Sequence, residues 1–177
     1  MNFFFIKTLL VLIILSNFIS CATASRPQGK NLKMETSLSF EEILDQAETN
    51  STSGGKKVLE ASRTMISNRE IVPGACWNYI NKVYNLAGYS SNQRVTIFKS
   101  KLQGPYVKAD QIEAGDWLYF VNHSYGDIDH SAIFVAWTDE EKKIALMVSY
   151  VGGNQKKPAL YKKYILTNVY NIIRAQD

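Results

Sequence analysis

Apolar residues recur at helical spacing through the first half of the chain and gather into short blocks in the second half. Residues 40–47 predict a short helix, with Ser39 as its cap and Glu42 at the capping-box position. The stretch Asn50-Ser51-Thr52-Ser53-Gly54-Gly55 reads as a flexible break. A second helix is expected over 57–66, where Val58, Leu59, Ala61, Met65 and Ile66 supply the apolar positions. The clearest amphipathic pattern comes next. Trp77, Ile80, Val83, Tyr84 and Ala87 follow helical spacing, while Asn78, Asn81, Lys82 and Asn85 take the other face. Pro73 and Gly74 prepare its start, and Gly88 sits where a left-handed C-terminal cap belongs. Cys76 therefore falls in the first turn.

The second half has strand character. Gly115-Asp116 reads as a turn and 117–121 as an apolar strand. A polar loop over 122–129 leads to a second strand over 131–137, with His130 at its mouth. A charged connection over 138–143 and a third strand over 144–150 follow, closed by Gly152-Gly153-Asn154. Residues 161–166 and 169–174 supply further strands. Helices first and antiparallel strands after predict an α+β domain over 37–177, with N-terminal helices packed on a central antiparallel sheet. No internal repeat and no low-complexity segment interrupts it.

The N-terminus reads as an export signal. Lys7 precedes an apolar run over 8–15, too short to span a bilayer comfortably, and polar Ser16 and Asn17 follow. Two processing readings compete. Ala22-Thr23-Ala24 fits ordinary signal cleavage, which leaves a soluble periplasmic or secreted protein. Phe18-Ile19-Ser20-Cys21 resembles a relaxed bacterial lipobox, with residues 1–20 removed and Cys21 lipidated as a membrane anchor. The lipoprotein reading is preferred, because it explains a cysteine placed just after the apolar run. Polar residues 21–36, with Pro27 and Gly29, then form a tether. On either reading the chain is exported to the bacterial envelope.

Charge adds little. With 20 Lys and Arg against 16 Asp and Glu, the net charge is +4. The pairs Lys142-Lys143, Lys156-Lys157 and Lys162-Lys163 are scattered and read as solvated faces, so no nucleic-acid partner is expected. A mild positive balance suits an anionic polymer such as cell wall.

Two residue types change the picture. Once the export segment and Cys21 are set aside, Cys76 is the remaining cysteine, so no internal disulfide can form. The first turn of a helix offers unpaired N–H groups and the positive end of the helix dipole, which favour a thiolate and can hold an oxyanion. A general base must come from elsewhere, and only His123 and His130 are available. His130, at the start of an apolar strand, is the better fixed; His123 reads as a solvated loop histidine. No carboxylate or thiolate spacing completes a metal site around the two. Spacing alone leaves Cys76 open between nucleophile and small core residue.

Three segments share a pattern: Cys76-x-x-Tyr79-x-x-x-Val83-Tyr84-x-x-Ala87-Gly88-Tyr89, Ile112-Glu113-Ala114-Gly115-Asp116-Trp117-Leu118-Tyr119-Phe120 and Asp129-His130-Ser131-Ala132-Ile133-Phe134-Val135. In order and spacing they resemble the NlpC-type cell-wall cysteine peptidases of the papain-like superfamily, and Gly74-x-Cys76 is similar to the start of the CHAP amidases. The resemblance covers 73–150. It implies a papain-like fold with Cys76 as nucleophile and His130 as base. Ser149, or Asn154 just beyond it, would orient the imidazole. It also implies hydrolysis of amide bonds in peptidoglycan stem peptides through a thioester, without metal or organic cofactor. Asp116 matches the family's GD aspartate and reads as a turn former.

The chain departs from that pattern in two places. Ala75-Cys76-Trp77-Asn78 stands where the family has Asp-Cys-Ser-Gly, and no Tyr-x-x-Gly-Gly precedes Cys76. Two other readings therefore stay open: a catalytically silent member that binds wall or a protein, and an acyltransferase or lipid amidase on the same fold.

Overall fold

Helix α1 (Phe40–Asn50) opens on the expected capping box: Ser39 N–H donates to Glu42 Oε2 at 2.7 Å, and Glu42 N–H to Ser39 Oγ at 3.3 Å. The computed structural model describes residues 38–176; the expected export segment 1–20, the expected lipidation site Cys21 and the expected tether 21–36 lie outside the described residues. Leu44 and Ala47 bury the inner face of α1, and the helix runs three residues beyond 47.

The expected break at 50–55 is instead the start of α2 (Ser53–Ser67). Thr52 caps it, accepting from Gly55 N–H at 3.1 Å, and both Gly54 and Gly55 are buried. A Cβ on Gly55 would lie 2.3 Å from the Ala114 carbonyl oxygen. Gly55 is therefore required by close packing against Ala114 and Gly115 and does not supply flexibility. Arg63 ties α2 to α1 through Glu48 at 2.8 Å and Asp45 at 3.0 Å.

Helix α3 (Cys76–Leu86) buries Tyr79, Ile80, Val83 and Tyr84. It ends as the sequence indicates: Gly88 has φ +92°, and Tyr89 N–H returns to the Tyr84 carbonyl at 2.8 Å.

Six strands follow: β1 (Arg94–Lys99), β2 (Trp117–Asn122), β3 (Ile128–Asp139), β4 (Ile144–Ser149), β5 (Leu160–Ile165) and β6 (Val169–Ala175). They form one antiparallel sheet in the order β1-β6-β2-β3-β4-β5. The architecture is α+β. Strand β1 was not expected. It is an edge strand with mostly exposed residues, so it carries no inward alternation to read. The loop expected at 122–129 is shorter, because Asn122 pairs with Ile128 and extends the β2–β3 hairpin. A 3-10 turn at His123–Tyr125 fills what remains, so His130 is the third residue of β3 and not its mouth.

The sheet divides the core by side-chain parity. Trp117, Ile133, Val135, Leu146 and Val148 face the helices and pack with Val58, Met65, Ile80 and Val83. Leu118, Phe120, Ala132, Phe134, Met147 and Tyr164 form a second cluster on the opposite face. Each such side chain, Phe120 and Leu118 being fully buried, contributes roughly 1.5–3 kcal/mol.

The GD turn joins these layers. Asp116 is fully buried, and its Oδ2 accepts from Glu113 N–H at 2.8 Å, as a turn former does. It also pairs with Arg174 on β6, at 2.7 Å from Nε and 2.8 Å from Nη2. Burial pushes the Asp116 carboxyl up despite the opposing Arg174 charge. Tyr84 Oη donates to the Gly115 and Ile173 carbonyls and accepts from Trp117 N–H, fixing α3 on the sheet.

Candidate active site

The thiol is placed by the loop in front of α3. Tyr150, just past β4, grips Val72: its Oη accepts from Val72 N–H at 2.9 Å and donates to the Val72 carbonyl at 2.7 Å. Tyr150 also stacks on Tyr79 of α3, ring centroids 4.6 Å apart. Gly153 N–H donates to the Gly74 carbonyl at 2.8 Å. A Cβ on Gly153 would meet Val72 O at 2.4 Å and Pro73 Cα at 2.8 Å. Gly74 takes φ +102°, and a Cβ there would meet Asn78 Oδ1 at 2.2 Å. That oxygen accepts from Ala75 N–H at 2.8 Å. Ala75, the N-cap, has no side chain able to cap, so no side-chain oxygen competes with a ligand for the first-turn N–H groups beside Cys76.

Cys76 is half-buried. Its Sγ accepts a hydrogen bond from Ser131 Oγ at 3.4 Å. His130 and Ser131 are neighbours on β3 and alternate across it. Ser131 shares parity with Ile133 and Val135 on the helix face, and His130 lies against Phe120 and Tyr164 on the other. His130 Nε2 is hydrogen-bonded to Ser149 Oγ at 3.3 Å and to Tyr164 Oη at 3.4 Å; the two hydroxyls are 2.7 Å apart.

Burial pushes the Cys76 thiol up. Hydrogen bonding from the His130 side chain, then from Ser131 side chain and backbone, and the His130 charge together outweigh it and hold the pKa at about 7. The thiolate is felt nearby: burial first, then the Cys76 charge, push Tyr119 to about 12. Tyr119 stacks on Trp117 at 5.5 Å and tilts against Tyr170 at 6.2 Å.

The fold thus brings Cys76, His130 and Ser149 together. Asn154 lies exposed in the 3-10 turn Gly153–Gln155, and the bonds of His130 Nε2 go to Ser149 and Tyr164. His123 is exposed and bonds Asp127 Oδ1 through Nδ1 at 2.6 Å, with its pKa raised by that hydrogen bond. Asp129 accepts from Tyr170 Oη at 2.6 Å. Two site residues escaped sequence reasoning. Tyr164 reads as an ordinary strand tyrosine, and nothing in the sequence sets it apart. Ser131 is simply the neighbour of the histidine. Among the described residues no group of three or more His, Cys, Asp or Glu side chains could hold a metal ion, and no helix is long and apolar enough to cross a membrane.

The fold and site together are an α+β domain with a half-buried thiol at a helix start, bonded to Ser131, and an imidazole held by Ser149 and Tyr164. No family model, curated protein or solved structure matches the chain.

Proposed function

We propose that the protein is an exported cysteine hydrolase that cleaves amide bonds in peptidoglycan stem peptides. The observation that carries the hydrolase reading is the relay itself. Ser149 and Tyr164 hold Nε2 of His130, and the ring lies beside a thiol already bonded to Ser131 and held near pKa 7. A buried structural cysteine has no need of such partners and keeps a high pKa.

In the proposed reaction the Cys76 thiolate attacks the amide carbonyl carbon, and the uncapped N–H groups at the start of α3 receive the oxyanion. Collapse breaks the C–N bond. His130 gives its proton to the departing amine and leaves a Cys76 thioester. A water then loses a proton to His130, attacks the thioester and releases the acid, and the thiolate returns. The wall-peptide substrate, the papain-like NlpC-type fold and the Cys21 anchor rest on the sequence resemblance and the export pattern.

The test is direct. Incubation of the purified protein with peptidoglycan should release new amino groups, and Cys76→Ala should abolish the release. Equal release by both proteins would sink the reading.

A further inference from the structure

On the thiol's own face of the sheet, beside Ser131, stand a carboxylate and two phenol rings that the proposed reaction does not use. Tyr119 of β2 is the register partner of Ser131, and Asp129 precedes Ser131 by two residues on β3. All three side chains therefore share the face that meets Cys76. Tyr170 of β6 closes the group. Its ring centroid lies 6.2 Å from that of Tyr119, tilted by 53°, and its Oη donates to Asp129 Oδ1 at 2.6 Å. Electrostatics tie the group to the sulfur. Burial first, then the charges of Cys76 and Asp129, push the Tyr119 hydroxyl up. Burial first, then the Asp129 hydrogen bond and charge, push Tyr170 up, and the Cys76 charge adds to this. Asp129 is exposed, and among the described residues it takes part in no ion pair.

We infer that Asp129, framed by Tyr119 and Tyr170, is a specificity site for an ammonium group that the substrate bears within about two residues of the carbonyl attacked by Cys76. The position rests on the hydrolase reading above, since a substrate carbonyl must reach the sulfur. Two residues of strand, roughly 7 Å, separate Asp129 from Ser131, and the Ser131 hydroxyl bonds Sγ. A chain with its carbonyl at the sulfur thus has its next one or two residues within reach of Asp129. The chemistry follows from the three groups. A carboxylate held by a phenol hydroxyl keeps its charge in one place, with an oxygen open to a charge-assisted hydrogen bond. The faces of the two phenol rings attract a cation as well. A free amino terminus or a basic side chain satisfies both. A carboxylate is repelled, and an uncharged acyl chain gains nothing from Asp129.

The thiol reads this site without any need for hydrolysis, because Sγ is the atom that a substrate and a thiol reagent must both reach. Three methanethiosulfonates are compared: the cationic aminoethyl, the anionic sulfonatoethyl and the neutral methyl reagent. Each transfers its thioalkyl group to the Cys76 thiolate, forming a disulfide and releasing methanesulfinate. Rates taken relative to the neutral reagent cancel any change in thiolate fraction. Asp129→Asn removes the charge and keeps an oxygen to accept from Tyr170. It should lower the cationic-to-neutral ratio about three- to tenfold and raise the anionic-to-neutral ratio. The neutral rate should stay close to that of the wild type, which shows that the thiol and its surroundings remain folded. Tyr119→Leu removes a ring but no charge and should lower the cationic ratio alone, about two- to fivefold. Asp139→Asn removes the same charge at the far end of β3, beside Lys142, and should leave both ratios as they are. Unaltered ratios in Asp129→Asn, an equal change in Asp139→Asn, or a wild-type sulfur that none of the reagents reaches overturns the inference. Failure to release amino groups from wall, with the cationic preference intact, refutes the substrate named above and leaves this site standing.

Discussion

Ser149 Oγ and Tyr164 Oη stand 2.7 Å apart in the core, both within hydrogen-bond reach of His130 Nε2. Two hydroxyls on adjacent strands β4 and β5 thus share the orienting task that one polar residue usually performs. Each can keep the ring in place when the other is lost. Ser149→Ala and Tyr164→Phe should therefore each lower kcat only a few-fold, whereas the double variant should lose roughly ten- to hundredfold, with KM little changed. A double-mutant cycle on kcat checks this; strictly additive losses would show that the hydroxyls do not substitute for one another.

The thiol should show its activation by pH. With Cys76 near pKa 7, alkylation by iodoacetamide should be half-maximal near neutral pH and about tenfold slower two units below the plateau onset at pH 8. The sign is that of a lowered pKa: the reactive thiolate is present above pH 7 and is lost as pH falls through it. His130→Ala should move the midpoint up toward an ordinary thiol. A wild-type midpoint above pH 8.5 would count against the relay.

Ser131→Ala isolates one stabilising contact. It removes the hydroxyl that donates to Sγ at 3.4 Å and leaves His130 alone. The hydrogen bond favours the charged sulfur, so its loss should raise the Cys76 midpoint by about one unit. Ser131 is buried, and losing one oxygen leaves only a small void, so the melting temperature should barely move. Alkylation profiles and thermal melts of the same protein give both readouts.

What the sequence discloses depends on where each residue's reason lies. Cys76 and His130 stand out because thiols and imidazoles are scarce here and because helix-start and strand positions are local signals. The helix boundaries at Ser39 and Gly88 are local for the same reason. Gly54 and Gly55 mislead, since the cause of Gly55 is Ala114, distant in sequence and adjacent only once α2 has docked. Tyr164 is silent because a tyrosine on a strand has packing as its ordinary reason. Its hydrogen bonds to Ser149 and His130 exist only through the β3-β4-β5 register. Strand β1 is invisible because an edge strand with exposed residues has no apolar alternation, and its partner β6 lies at the far end of the chain.

The Asp116–Arg174 pair is a stability element at the turn that carries β2. Asp116 is fully buried, and removing Arg174 strands its charge. Arg174→Met should cost roughly 3 kcal/mol and lower Tm by roughly 10 °C. Adding Asp116→Asn should restore part of the loss, because the uncompensated charge goes while the amide can still accept from Glu113 N–H. If thermal melts show no recovery in the double variant, the pair is not the source of the loss.

Gly153 offers the sharpest separation of packing from chemistry. It is far from the sulfur in sequence and touches no reacting group, yet its backbone lies against Val72, Pro73 and Gly74, the loop that sets Cys76 at the start of α3. An added Cβ would stand 2.4 Å from the Val72 carbonyl oxygen, so the loop must move. That carbonyl also accepts from Tyr150, so movement breaks a buried bond as well. Gly153→Ala should cost roughly 2 kcal/mol and also shift the Cys76 alkylation midpoint upward, because the sulfur leaves its place beside Ser131 and His130. Gly126→Ala is the comparison: its Cβ meets nothing within 4 Å, and only the left-handed backbone, φ +68°, is strained, at about 1 kcal/mol. That variant should melt slightly lower with the thiol midpoint unchanged. A thiol that ignores Gly153→Ala while stability falls would mean that the loop supports the fold without positioning the sulfur.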